Sequence, residues 1–326
     1  MGLNWAKGLM KIWKIAIVGA GYMAQEHAKA FASLPEVAIV GVCGRTMAHA
    51  QALAAEYGAR AFESIDTMRR ETLADAVVVA VNELSMRDVC FAVFAHSWLC
   101  LLEKPVGINL AEAQAIQAAA LSAGASAFVG FNRRSYASTR QALSALADDD
   151  GPRLISVLDQ QDMVLARASG QPDAVVRNYM YANSIHLIDY LVLFGRGNIV
   201  SVHPSVPWTP EHPSHVVAVV RYSSGDVGVY QAVWNGPGPW SVTVTNGELR
   251  AELRPLEKLG LQRRGERVLT ALALDAVDAN FKPGLRHQAE RIVAALGGAA
   301  IELATLEEAT RSMALCADIY GLRGLP

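Results

Sequence analysis

The chain has 326 residues, 52% of them hydrophobic, with 29 basic against 31 acidic side chains and a formal net charge of −2. A length of this order predicts two domains with well-buried cores. The balanced charge argues against a nucleic-acid partner, which calls for a basic excess or stripe, and the lack of an 18-residue apolar run argues against a membrane span.

The opening segment, Met1 to Trp13, has no uninterrupted apolar core or cleavage site of the signal-peptide kind, and reads as a short leader of helical character. Up to about Gly130, aliphatic strands alternate with helical patterns. The strands are Lys14 to Gly19, Ala38 to Cys43, Ala76 to Val81, Trp98 to Glu103 and Ala127 to Phe131. Between them lie Gln25 to Leu34, Ala48 to Tyr57, Ser64 to Arg70, Met86 to Ala95 and Leu110 to Ala123. Continuously apolar strands separated by helices predict a parallel sheet covered on both faces. Gly58 is placed to end the second helix.

The pattern then changes. A helix is expected over Ser138 to Leu146, a strand over Leu154 to Leu158 and a helix over Ser184 to Phe194. Strands follow at Ile199 to His203, Val216 to Tyr222, Val227 to Trp234, Trp240 to Thr245 and Glu248 to Leu253. Ser223-Ser224-Gly225-Asp226 and Thr245-Asn246-Gly247 are hairpin turns between them. Helices are expected over Leu285 to Leu296, Leu306 to Asp318 and also Thr270 to Val277, with a capping box at Thr305 to Glu308. The fold class is therefore an α/β Rossmann domain followed by an α+β domain with a largely antiparallel sheet.

The first strand runs into Gly19-Ala20-Gly21-Tyr22-Met23-Ala24, a G-x-G-x-x-A turn. Gly19 permits the tight turn, Gly21 lets the backbone approach a pyrophosphate, and Ala24 keeps the helix close to the sheet, with its free N–H groups facing the anion. At the end of the second strand, Gly44 stands where a ribose-binding acid would sit, with Arg45 and Thr46 after it. Arginine and threonine there suit a 2′-phosphate, which favours NADP over NAD, although an exposed loop arginine would read the same way. Cys43, Cys90, Cys100 and Cys316 are scattered through apolar segments and read as buried, reduced thiols of a cytoplasmic protein. Glu211-His212-Pro213-Ser214-His215 has the composition of a loop, and no metal is expected.

With Glu103-Lys104-Pro105, Gly130-Phe131-Asn132-Arg133-Arg134, and Ile185-His186-Leu187-Ile188-Asp189 ahead of Gly195, the chain resembles the glucose–fructose oxidoreductase/inositol dehydrogenase (Gfo/Idh/MocA) family over almost its whole length. The resemblance implies a Rossmann domain at 11–131 and an α+β domain at 132–326. The second domain's open sheet would build a homodimer or tetramer, and the last helices would be free to pack back on the first domain. It also implies hydride transfer to or from a secondary hydroxyl of a sugar, polyol or nucleotide-sugar. Lys104 would bind or polarise the reacting oxygen and His186 would transfer the proton. Tyr22, Met23, Asn82, Glu103, Lys104 and Pro105 join the turn residues as coenzyme contacts. Arg133, Arg134, Tyr136, Asn183, His186 and Asp189 are the substrate candidates. The arginines suit a carboxylate or phosphate but also ordinary helix-cap charges, and Asp189 suits an orienting or a packing role.

Two departures stand out. Ala182 occupies the place of the family's acid four residues before the histidine, and Val81-Asn82-Glu83-Leu84-Ser85 replaces a Pro-Asn-x-x-His pattern. They leave room for two further readings: a coenzyme or sugar sensor without catalysis, and a redox-neutral enzyme with tightly held coenzyme.

Overall fold

The structure is a computed structural model and describes residues 11–323. Residues 1–10, most of the expected leader, lie outside it. The first sheet contains β1 (Trp13–Val18), β2 (Val37–Cys43), β3 (Arg60–Phe62), β4 (Ala76–Val79), β5 (Leu99–Leu102) and β6 (Ser126–Val129). These strands run parallel in the order β6-β5-β4-β1-β2-β3. The helices α1 (Tyr22–Ala32), α2 (Met47–Glu56), α3 (Ile65–Thr72), α4 (Met86–Phe94) and α5 (Leu110–Ala123) make the crossovers. β4 is buried along its whole length, as a strand covered on both faces must be. Local signals set the helix ends. Ser64 and Asn109 accept the backbone N–H groups of Thr67 and Glu112, while Gly58 and Gly124 take positive φ just beyond α2 and α5.

The second half holds α6 (Ala137–Ala145), β7 (Leu154–Gln161), α7 (Met163–Ala168), α8 (Asp173–Arg177), a π-helical turn at Met180–Ser184, and α9 (Ile185–Phe194). β8 (Ile199–Val206), β9 (His215–Tyr222), β10 (Val227–Trp234), β11 (Ser241–Thr245), β12 (Leu249–Leu253), β13 (Leu259–Arg263) and β14 (Thr270–Ala271) complete the second sheet. Its order is β14-β13-β12-β11-β7-β10-β9-β8, antiparallel except where β10 runs parallel to β7. Alternate residues of β7, β9 and β10 are buried, so one face packs beneath α9 and α12 and the other stays open.

The chain then returns to the first sheet through α10 (Ala276–Asn280), α11 (Leu285–Leu296), β15 (Ala304–Thr305) and α12 (Leu306–Ile319). β15 pairs antiparallel with β6, α11 packs on α1, and α12 packs on both α5 and α9. The capping box is present: Thr305 Oγ1 accepts the Glu308 N–H at 3.2 Å and Glu308 accepts the Thr305 N–H at 2.9 Å.

One expected helix is corrected. Thr270 and Ala271 pair with β13, and Asp275 then caps a new helix by accepting the N–H groups of Val277 and Asp278. A helix across 270–277 is therefore replaced by a short strand and a helix starting at Ala276.

Candidate active site

Strand order in the first sheet reverses between β1 and β4, and a cleft of about 680 Å³ opens at their carboxyl ends. Gly19, Gly21, Gly44, Arg45, Thr46 and Asn82 all line it. The two turn glycines serve different ends. Gly19 has φ +119°, and a Cβ there would sit 2.0 Å from the Ala80 carbonyl oxygen, so only glycine lets β1 turn beside β4. Gly21 caps α1 in extended conformation, and nothing lies within 4 Å of where its Cβ would be. Ala24 is fully buried under α1, whose first turn carries no acidic side chain to occupy its N–H groups. This cradle fits a dinucleotide pyrophosphate.

A paired test follows from that contrast. Gly21→Ala is expected to change stability by less than about 0.5 kcal/mol while weakening coenzyme binding at least about tenfold. Gly19→Ala is expected to destabilise the fold itself by about 3 kcal/mol or more. Melting curves and coenzyme titrations check both, and unchanged affinity in Gly21→Ala would place the phosphates elsewhere.

Arg45 and Thr46 stand exposed at the rim beyond Gly44, with His49 nearby, and Arg45 makes no ion pair among the described residues. The cleft lining also carries acidic groups, Glu63 beyond the neighbouring β3 and Asp66, which pairs with His96 at 2.7 Å. Asn82 lines the cleft but spends its Oδ1 on the Ser85 N–H. Tyr22 is 62% exposed on the first turn of α1, and Lys282 from the second half lies 5.1 Å over its ring. Met23, beside it, is half-buried.

Beyond the turn, β5 delivers Glu103-Lys104-Pro105. Glu103 is buried and accepts hydrogen bonds from His27 Nε2 at 2.7 Å and from the Lys104 backbone N–H at 3.1 Å, so it braces the segment from beneath. Lys104 Nζ donates to the Ala182 carbonyl at 2.9 Å. Burial lowers its pKa to about 8, with Glu103 opposing and Arg133 assisting the shift. His186, in the first turn of α9, is 6% exposed, and its Nδ1 has no partner among the described residues. Burial, then the positive charges of Arg133, Lys104 and Lys282, hold its pKa well below the ordinary histidine value. The site thus pairs an imidazole held toward its neutral form with a lysine whose pKa is lowered to about 8.

The other substrate candidates divide. Arg133 lies over Trp240, with its guanidinium carbon 4.8 Å from the ring centroid, and Trp240 is 6.2 Å from His186. Arg134 and Asp189 are corrected to an internal tie. Both nitrogens of the guanidinium fork lie 2.7 Å from the Asp189 oxygens, leaving neither charge for a ligand. Tyr136 is buried at the head of α6, and Asn183 Nδ2 is spent on Gln161 Oε1 at 2.8 Å. Sequence reasoning missed Lys282, for which no local pattern exists, and Gln161. It also missed Asp159, a buried carboxyl pushed up in pKa by burial, which accepts from Tyr230 and Gln161. Asp159 and Gln161 continue the inward-facing alternation of Ile155 and Val157, a signal available had the strand been extended past Leu158. Trp208 and Trp234 pack against Tyr320 in the core, whereas Trp240 faces the site.

Residues 13–131 match the oxidoreductase family with NAD-binding Rossmann fold, GFO_IDH_MocA. Glucose-6-phosphate 3-dehydrogenase of Bacillus subtilis (strain 168) is 25% identical over 144 residues, 44% of this chain and 41% of that protein. The match therefore spans about two fifths of that relative. UDP-N-acetylglucosamine 3-dehydrogenase GnnA from Acidithiobacillus ferrooxidans shares the fold with a TM-score of 0.77 at 19% identity, over 96% of this chain and 98% of that one. The WlbA dehydrogenase from Bordetella pertussis, solved with NADH and UDP-GlcNAcA, does so with a TM-score of 0.74 at 18% identity, over 96% and 95%. Over residues 13–131 the chain is thus similar to the Gfo/Idh/MocA family of NAD-binding oxidoreductases.

Proposed function

We propose that the chain is an NAD(P)-dependent oxidoreductase acting on a secondary hydroxyl of a sugar, polyol or nucleotide-sugar, with NADP(H) preferred. The observation that carries this reading is Lys104, just past β5 of the Rossmann sheet, anchored by the Ala182 carbonyl and bearing on a neutral His186. The likeness to glucose-6-phosphate 3-dehydrogenase and UDP-N-acetylglucosamine 3-dehydrogenase supports the substrate class. Residues 11–131 would hold the coenzyme and 132–326 the substrate. The half-buried Val217, Val219, Val229 and Val233 on the open sheet face suit a homodimer or tetramer. The four cysteines are free and buried, which suits a cytoplasmic setting.

Gly19, Gly21 and the α1 N-terminus would hold the pyrophosphate, and Arg45 with Thr46 the 2′-phosphate. A nicotinamide bound in this cleft supplies the hydride acceptor. Lys104 meets the substrate oxygen as a charged donor, and in the oxidation direction takes the hydroxyl proton once its ammonium has lost its own. His186, neutral, holds the same hydroxyl by a hydrogen bond. The roles differ from those expected of the sequence because Ala182 removes the carboxylate that would favour a protonated imidazole. Its carbonyl fixes Lys104 instead. The same alanine favours the sensor as the second reading, and coenzyme binding without turnover across a broad carbohydrate panel would decide for it.

Calorimetric titration with NADPH and NADH tests the coenzyme assignment. Arg45→Ala is expected to weaken NADPH binding about tenfold or more, the loss of a charged hydrogen bond of about 1.5–3 kcal/mol, while sparing NADH. Equal effects on both coenzymes would remove Arg45 from phosphate recognition.

A further inference from the structure

The wall around His186 carries positive charge that the protein leaves largely uncompensated. Arg133, Lys104 and Lys282 all bear on the imidazole, and Lys282 reaches the site from the loop ahead of α11. The nearby carboxylates are engaged elsewhere, Glu103 with His27 and Asp189 with Arg134, leaving the half-exposed Glu83 on the Lys104 side.

The two adjacent arginines allow a direct comparison. Arg134 closes its fork on Asp189, with Nε and Nη2 each 2.7 Å from a carboxylate oxygen. Among the described residues, Arg133 has a buried Nε with no acceptor, and its one side-chain hydrogen bond runs from Nη1 to Asn132 Oδ1 at 3.4 Å. The guanidinium lies against Trp240, the indole that also neighbours His186. A planar cation held on an aromatic face keeps its donors in a fixed place, and a guanidinium fork matches the two oxygens of a carboxylate.

We propose that the substrate is a hydroxy acid of the uronate or aldonate kind, its carboxylate received by Arg133 on Trp240 with Lys282 assisting, while a carbinol of the same molecule faces Lys104 and His186. This rests on the oxidoreductase reading above and adds the substrate's charge to it. The two sites reinforce each other. A bound carboxylate offsets the positive field of Arg133 and Lys282 around the imidazole, which a neutral sugar leaves uncompensated.

The test is calorimetric titration of NADPH-loaded protein with D-glucuronate, D-galacturonate and D-gluconate, against D-glucose, myo-inositol and glucose 6-phosphate. It is run on the wild type, Arg133→Gln and Arg133→Lys, and NADPH binding reports the fold of each variant. At least one acid is expected to bind about tenfold or more tightly than the neutral sugars. Arg133→Gln brings that ratio close to unity, and Arg133→Lys, which keeps the charge without the fork, restores only part of it. Failure of every acid to exceed the neutral sugars, or an unchanged ratio in Arg133→Gln, overturns the proposal. Preference for glucose 6-phosphate over every acid replaces carboxylate by phosphate and overturns it too. NADP reduction by neutral polyols without acid preference refutes this inference alone. Arg133-dependent acid binding without any coenzyme reduction upholds it and refutes the oxidoreductase reading.

Discussion

Replacing Lys104 by alanine is expected to lower kcat for alcohol oxidation by about 10²–10⁴-fold on the best substrate of the sugar panel, with NADPH affinity largely retained. The side chain stands just past β5, and its amine is committed to the Ala182 carbonyl, not to the glycine turn proposed to hold the coenzyme. Its pKa, lowered by burial to about 8, gives the reaction a direction in pH. As a base, Lys104 must be deprotonated, so kcat/KM for oxidation rises through about pH 8 and levels above it. As an acid in the reverse reaction it must carry its proton, so reduction falls over the same interval. His186 does not produce this inflection, because its pKa lies well below the ordinary imidazole value. Lys104→Arg separates charge from proton transfer, since a guanidinium holds the substrate oxygen but stays protonated at every pH of the assay. It should lose the inflection near pH 8 along with the rate. Wild-type turnover in Lys104→Ala would remove the residue from the chemistry, and an unaltered pH profile in Lys104→Arg would leave it a binding role only.

Much of the first sheet is legible because its strands are apolar without interruption and its glycines mark the turns. β3 and β15 are not, being three and two residues long and stabilised by pairing with β2 and β6, the latter far from β15 in sequence. Thr270 to Val277 misleads for a related reason. The helical pattern runs across Asp275, and only the cap shows that the helix begins after it. At the site, the letters single out Lys104 and His186 as candidates but not how they would divide the work. Ala182 is visible as a missing acid, yet its carbonyl is the group that holds Lys104, and a sequence displays side chains alone. Arg133 and Arg134 are the same letter twice. One turns to Asp189, 55 residues on, and the other to Trp240, and no local spacing distinguishes them.

Asp189→Ala is expected to destabilise the protein by about 3–5 kcal/mol, the cost of leaving the buried Arg134 charge without its partner. Arg134 and Asp189 are 12% and 4% exposed at their side chains, so water offers little compensation. The loss extends past one pair. Ser312 Oγ donates to Asp189 Oδ1 at 2.7 Å, and Arg134 Nη1 reaches Glu308 at 3.3 Å, so a single carboxylate organises the join between α9, α12 and the turn after β6. Urea unfolding at constant pH measures the effect as a lower midpoint. The double variant Arg134→Leu, Asp189→Leu should recover much of the loss, because replacing both charges by apolar groups leaves neither stranded. A wild-type midpoint in Asp189→Ala would show that Asp189 is free to serve a ligand after all, and would return it to the substrate contacts. Recovery in the double variant alongside retained coenzyme binding would instead assign the pair to architecture, leaving Arg133 as the arginine that faces substrate.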